Sequence, residues 1–558
     1  MAGKTEYSVA PASFPQGTAS RWPLWAEMAL VFAVFFIQGA WPVPEVNEPN
    51  YLGKAIHFWN PAWAPHDFFL QTADTHWVFY FSFGWLSRWL TPTALAWTGR
   101  LITWGLLAWA WQRLSFAVLP RRWLAPVTAA LFVALAQHGN LAGEWIIGGL
   151  EAKGFAFVFM FLGLEALVRD RWNRAWLLLG IASAFHVLVG GWAVVAAAIA
   201  LMLAGSARPP LRTMWSGLRG GLLLSLPGLI PALLLNWGTP AAVVREANEI
   251  YVYGRLPHHL NPWRFPLDQL VPFVILCCLF LLLGRVAATE RPVRRLRAVV
   301  VASLAIALLG LLLSLLGFWD RQVAAGLLRF YWFRLADVMV PLGVSLLGMC
   351  VIVGLRQRHP RLGRCALAAS ILLAGLHISD CIVLRLFSRP PHAERYCDLD
   401  AWASACRWIA HPGRAAMFPR HPRADRLPDY AAWREACQWA SQPENTAPDA
   451  TFLTPRMSQT FKWYAHRGEA GTWKELPQDA RGIVAWWQRM EAFYGTGKAL
   501  PQEPWYNSLE ELGPQRLRQL AAAYHFQYVL TTISDGPLPL PVVYRNRTYI
   551  IYRIMKDP

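Results

Sequence analysis

The sequence predicts a polytopic α-helical membrane protein of about eleven spans, followed by an extracytoplasmic α/β domain. Three observations carry this. Of the 558 residues 55% are apolar and only 15% are charged, against about 25% charged in soluble domains. The apolar residues gather into runs near the ~20 residues a bilayer requires. The arginines concentrate in alternate loops between those runs, as cytoplasmic loops do. The 31 Trp agree, because indole rings favour the water–lipid boundary. A net charge of +18 is spread over short clusters between apolar runs, which reads as membrane topology and not as a nucleic-acid surface.

The spans are expected at 24–42, 95–118, 124–138, 154–168, 175–189, 191–204, 219–237, 270–285, 297–316, 335–354 and 365–384, after a cytoplasmic tail of residues 1–23. The first reads as an uncleaved anchor, since it is long and lacks an A-x-A site before Pro42. The Gly190–Gly191 pair is expected to divide the longest apolar run in two. Arginine-rich loops around 121–122, 169–174, 208–219, 285–297 and 356–364 belong inside. The alternate loops hold most of the acids and belong outside. Counting the apolar stretch 77–90 as a span would invert every later loop, so it is expected to lie in the outer interface. Stretch 51–60 is similar, with Tyr51, Leu52, Ala55, Phe58 and Trp59 on one helical face and Lys54 and His57 opposite.

The membrane module 24–387 ends where the apolar pattern stops, and residues 388–558 are polar and Pro-rich. Here RLRQLAAAYHF reads as a helix and QYVLTTI as a strand. VVYRNRTYIIYRI reads as a hairpin turning near Arg545–Arg547. A Trp-x-x-Ala-Cys-x-Trp pattern occurs at 402–408 and again at 433–439. In an oxidising compartment that repeat favours a Cys406–Cys437 disulfide; small thiols packed between Trp rings are the alternative.

Nucleotide-binding, hydrolase-elbow and metalloprotease motifs are absent from the sequence, and no Cys/His spacing fits zinc. Chemistry therefore rests on polar residues of the outer loops. Glu45 and Glu48 follow the first span and precede an interfacial helix, where carboxylates are desolvated enough to act as bases; Asp67, Asp74 and His76 share the loop. Glu151 and Lys153 stand where a span begins, a costly place for unused charge. His186 lies within the longest apolar run. Arg329 and Arg334 approach a later span from outside, Arg being suited to forked contact with phosphate. The loop 238–269 adds Asn248, Glu249, Tyr251, Tyr253, His258, His259 and Asn261, a mixture that suits sugars.

The order of these features over residues 24–390 resembles the GT-C superfamily of polyprenyl-phosphate-sugar-dependent glycosyltransferases, which includes protein O-mannosyltransferases and aminoarabinose transferases. The shared features are an N-in first span, an acidic first outer loop with two interfacial helices, an acidic second loop, many spans and an exported C-terminal domain. The W-W-D-Y-G signature of oligosaccharyltransferases is absent, and Glu45 and Glu48 are not adjacent as in many relatives. The resemblance implies a multi-pass protein of the bacterial inner membrane. Its donor would be a polyprenyl-phosphate-linked sugar, with no further cofactor assigned, the metal undetermined and the envelope acceptor open. It also implies Glu48, then Glu45, as catalytic base, with Glu151, Lys153, His186, Arg329 and Arg334 binding substrate or phosphate. The alternative is a non-catalytic membrane protein, either a transporter or a scaffold presenting the exported domain.

Overall fold

The computed structural model describes residues 22–205, 208–287, 290–387, 429–497, 505–533 and 537–554. Each expected apolar run is a helix: α1 (Trp22–Gly39), α4 (Pro92–Val118), α5 (Ala125–His138), α6 (Ala152–Val168), α7 (Trp172–Phe185), α8 (Val187–Met202), α9 (Trp215–Leu234), α12 (Leu267–Val286), α13 (Arg291–Ser314), α15 (Arg334–Arg358) and α16 (Pro360–Phe387). By length and composition five helices are able to cross a membrane: Leu211–Leu234, Leu267–Val286, Arg291–Phe318, Arg334–Arg358 and Pro360–Val383. A large apolar core runs through the bundle, with Trp104, Trp111, Phe132 and Phe161 at its centre.

The break in the longest apolar run falls at His186, four residues before the expected glycine pair. The His186 Nδ1 accepts from Val189 N at 3.3 Å and so caps α8. Gly190 makes the hairpin possible instead of breaking it: a Cβ there would lie 2.1 Å from Ser183 N. Helices α7 and α9 approach as closely, and a Cβ on Gly180 would meet Gly221 O at 2.2 Å. Small residues permit such seams where apolar surroundings offer little other drive for helix association.

The stretch 77–90 is broken into helix α3 (Trp77–Ser82) and a 3-10 turn Gly84–Arg88, each far too short to span a bilayer. Trp77, Phe81, Trp85 and Trp89 are exposed along it. Helix α2 (Glu48–Trp59) forms as expected but does not lie as expected. Lys54 is buried with Leu52, Ala55 and Ile56, its ammonium donating to Thr72 Oγ1 at 3.0 Å, whereas Phe58 is exposed. A long lysine stem supplies apolar contact while its head finds oxygens, a choice that helical periodicity does not reveal.

The C-terminal unit carries a five-stranded sheet of order β2-β1-β3-β5-β4, formed by Thr451–Leu453, Gly468–Glu469, Tyr528–Thr532, Val542–Arg545 and Tyr549–Arg553. Strand β1 runs parallel to β2 and β3, and the expected hairpin β4–β5 is antiparallel. Alternation covers both faces. Tyr528, Leu530, Tyr549 and Ile551 pack on Tyr430–Ser441, whereas Val529, Ile550 and Tyr552 pack towards Ala480–Tyr494 and Gly513–Tyr524. Cys437 is buried in the first of these layers and is bonded to no cysteine among the described residues; Cys406, and with it the expected bond, lies outside them.

The loop between α1 and α2 is held by one buried ion pair. Arg100 on α4 donates Nε and Nη2 to Glu48 Oε1 and Oε2, both at 2.7 Å. Glu48 also accepts Leu150 N at 2.7 Å and Glu45 N at 2.8 Å, and Arg100 Nη1 binds Trp41 O. Both side chains are fully buried. Breaking such a pair leaves an uncompensated charge, at a cost of about 3–5 kcal/mol. Glu48→Ala should therefore lower the unfolding stability of the purified protein by about that amount in thermal or denaturant titration. The double replacement Glu48→Met with Arg100→Met should cost less than the sum of the single changes. A Glu48→Ala protein as stable as wild type would exclude this framework role.

Candidate functional site

The acidic loops meet at one end of the bundle, and the C-terminal unit roofs them. Asp67 of the first loop accepts Glu469 N at 3.0 Å and pairs with Lys462 Nζ at 3.1 Å. Thr75 donates to Gln478 Oε1 at 2.9 Å, and Ala480 N donates to Asn236 Oδ1 at 2.8 Å. Between loops and roof lies a cavity of about 210 Å³.

The second acidic loop does not line this cavity but holds two residues that do, Arg334 and Asn47. Asp337 in the first turn of α15 accepts Leu141 N and Ala142 N, both at 2.8 Å, and so shapes that loop. Arg334 does not pair with Asp337, three residues on in the same helix. Arg334 Nε instead reaches Glu144 Oε2 at 3.0 Å, and Lys153 Nζ reaches Glu144 Oε1 at 2.8 Å. Lys153 also lies 3.4 Å from Glu151, which accepts Asn47 Nδ2 at 2.7 Å. Burial raises the Glu144 carboxyl, but Lys153 and Arg334 outweigh it and hold the group below its ordinary range. Two acids thus balance two bases.

Two further cations face the cavity with no carboxylate partner among the described residues. Arg255 donates Nε to Trp473 O at 3.0 Å and stacks on that ring. Lys474, next in sequence to Trp473, lines the same wall. Burial, joined by neighbouring positive charge, pushes Lys474 down to about 8. Burial likewise lowers Arg255 to about 10. Burial together with the charge of Arg255 and Arg334 drives His258 and His259 below the usual imidazole range. The cavity is therefore an electropositive pocket short of an anion.

A dyad completes its wall. Asp74 Oδ1 sits 2.8 Å from His76 Nδ1 and also accepts His76 N at 2.8 Å. Gln478 Nε2 approaches the same Nδ1 at 3.2 Å. A carboxylate only accepts, and its contact is the shorter, so Nδ1 carries the proton and the lone pair belongs to Nε2. Burial raises Asp74, but His76 and Lys54 together pull it far below the carboxylate range. Tyr51 and His186 lie edge-on or tilted beside the His76 ring, with centroids 5.1 and 5.4 Å away.

Arg334 and Tyr331 also border a small, mostly apolar slot between α8 and α15, lined by Phe157, Leu188, Val189 and Trp192 together with His186 and Glu144. Arg334 and Tyr331 thus stand on the walls of both the charged cavity and the slot.

Of the binding residues expected from sequence, only Arg334 lines the cavity; Lys153 and Glu151 join it through Glu144, and His186 stands beside His76 and lines the slot. Arg329 stands apart from the cavity lining and binds Asn248 behind Tyr251. Glu48 is also absent from that lining, and its two oxygens are occupied by Arg100 and backbone amides. Glu45 is half-buried, its Oε2 enclosed against Gly148 and Gly149 without a hydrogen-bond partner, and desolvation pushes it up to about 7. Arg255 and Lys474 were missed: Arg255 sits among the aromatics of a loop valued only for sugar contacts, and nothing in the polar stretch around Lys474 marks it. The only grouping of carboxylates with metal-like spacing among the described residues is Asp67, Glu469 and Glu475. Lys462 Nζ sits among them, 3.1 Å from Asp67 and 2.9 Å from Glu469, and fills the place of a cation.

The pocket should hold an anion through protonated Lys474. Affinity for inorganic pyrophosphate should fall roughly ten- to a hundredfold from pH 7 to pH 9.5, the loss of one charge-assisted contact, as Lys474 gives up its proton near 8. Lys474→Arg should flatten the profile, because guanidinium stays charged. Calorimetric titration checks both.

Residues 431–493 match a family model described as a domain of unknown function, DUF6798. The matched stretch supplies Lys462, Glu469, Lys474 and Gln478, and so includes the roof of the cavity. No curated protein matches the chain.

Proposed function

We propose that the protein is a membrane glycosyltransferase that moves a sugar from a polyprenyl-phosphate-linked donor to an envelope acceptor at the outer face of the bacterial inner membrane. The observation that supports this best is that Arg334 and Tyr331 border both an electropositive cavity and a small apolar slot beside it. An amphipathic ligand with an anionic head and a hydrocarbon tail suits both parts at once. On this reading the acidic-loop end faces outward and the eleven helices are the spans.

The phosphate lies among Arg334, Arg255 and Lys474, which stabilise the charge that grows on it as the glycosidic bond breaks. Asn47, Asn50 and Tyr51 face the sugar from the first loop. His76 Nε2 takes the proton of the attacking hydroxyl, and Asp74 keeps the ring oriented and steadies the imidazolium. This moves the base role expected for Glu48 onto His76, since an unoccupied lone pair at the cavity is what proton transfer requires. Glu45 and Glu48 serve the framework.

Full-length protein in nanodiscs, titrated with undecaprenyl phosphate, tests the binding half. Arg334→Gln and Arg255→Gln should each weaken binding by about tenfold or more, the range of a lost charged hydrogen bond. Wild-type protein that fails to bind the lipid, or variants that bind it unchanged, would overturn the reading. With polyprenyl-phosphate hexoses as donors, His76→Asn should lower transfer by about 10²–10⁴ while leaving lipid affinity intact. A transporter or scaffold would bind without transfer.

A further inference from the structure

The arginine-rich end of the bundle has its own concave site. Three segments frame a cavity of about 480 Å³: the turn at Asp170 and Trp172, the end of α8 from Ala200 to Ala204 with Arg208 beyond it, and the first turns of α13. Arg291, Arg294 and Arg295 fall at i, i+3 and i+4, so α13 presents them on one face. Arg295 is buried and committed: its Nη2 and Nε reach Asp170 Oδ1 at 2.8 and 3.1 Å, and its guanidinium stacks over Trp172. It forms a rigid floor. Arg208, Arg291 and Arg294 remain exposed around the rim, with no carboxylate partner among the described residues. Glu290 precedes the group but lies outside the lining.

We propose that this cavity binds the phosphate head of an anionic phospholipid. Three like charges converging on one concavity repel each other until an anion enters it, and Arg forks match phosphate oxygens. The wall is apolar where the tail would leave: Ala200, Leu203 and Ala298 line it, and Leu203 and the neighbouring Met202 are exposed. A soluble phosphate would have no use for that wall. Basic pockets between helices at one membrane face are suited to such headgroups. The excess positive charge selects phosphatidylglycerol or cardiolipin over a neutral phosphatidylcholine. This site is separate from the outward cavity and does not depend on the transferase reading.

Delipidated full-length protein, exposed in turn to phosphatidylglycerol, cardiolipin and phosphatidylcholine and measured by native mass spectrometry, provides the test. The anionic lipids should bind at least tenfold more tightly than phosphatidylcholine. The triple variant R208Q/R291Q/R294Q should lose that preference, and R208K/R291K/R294K should retain part of it. R121Q/R122Q, which removes exposed charge from another basic loop, should keep it in full. Equal binding of neutral and anionic lipids, or an unchanged preference in the triple glutamine variant, would overturn the proposal. So would loss of preference in R121Q/R122Q equal to that of the triple variant, which would mean diffuse charge without a site. Inorganic pyrophosphate displacing the lipids at equal concentration would assign the pocket to a soluble phosphate and overturn the lipid assignment.

Discussion

The buried pair of Glu48 and Arg100 sets the geometry of the whole acidic-loop end. Its hydrogen bonds tie the end of α1, the start of α2, the middle of the bundle and the second loop to one point. Charges removed from water are tolerated only when nearly every lone pair and proton is used, and here the carboxylate accepts four donors. Once that knot is tied, α2 has one direction in which to run, and Asn47, Asn50 and Tyr51 are delivered to the cavity. An acid placed at a membrane edge for structural reasons resembles one placed there for catalysis, because both are desolvated.

A second constraint is electrical. The ion-pair cluster around Arg334 is balanced, Glu144 and Glu151 against Lys153 and Arg334, whereas Arg255 and Lys474 are not. Their lowered proton affinities and the neutral histidines nearby express the same fact: positive charge has been gathered where water is scarce. Folding alone gives no reason to collect cations without partners, and binding an anion does.

The roof is locked to the membrane module by Asp67, whose carboxylate joins Lys462, Glu469 and Glu475 in a fully buried cluster. One ammonium serves three carboxyls, so burial and mutual repulsion push Glu475 up to about 8. Asp67 comes from the first loop, and the other three members come from the segment that matches the family of unknown function. That segment is therefore part of the cavity and not an appendage.

Hydrophobic run length located every helix of the bundle, and strand alternation located the hairpin of the C-terminal sheet, because both are local periodicities written into consecutive residues. The end of the bundle that gathers Glu151, Lys153, His186 and Arg334 was also legible, since ionisable groups at the ends of apolar runs are conspicuous. What periodicity could not decide was pairing. Whether Glu48 meets a substrate or Arg100, and whether Lys54 faces water or Thr72, depends on residues that the fold brings up from other elements. The cation excess is of the same kind. Arg255 and Lys474 are separated by more than two hundred residues, and only the docking of the C-terminal unit on the loops brings them to one wall, because electrostatic contact is set by distance in space and not along the chain.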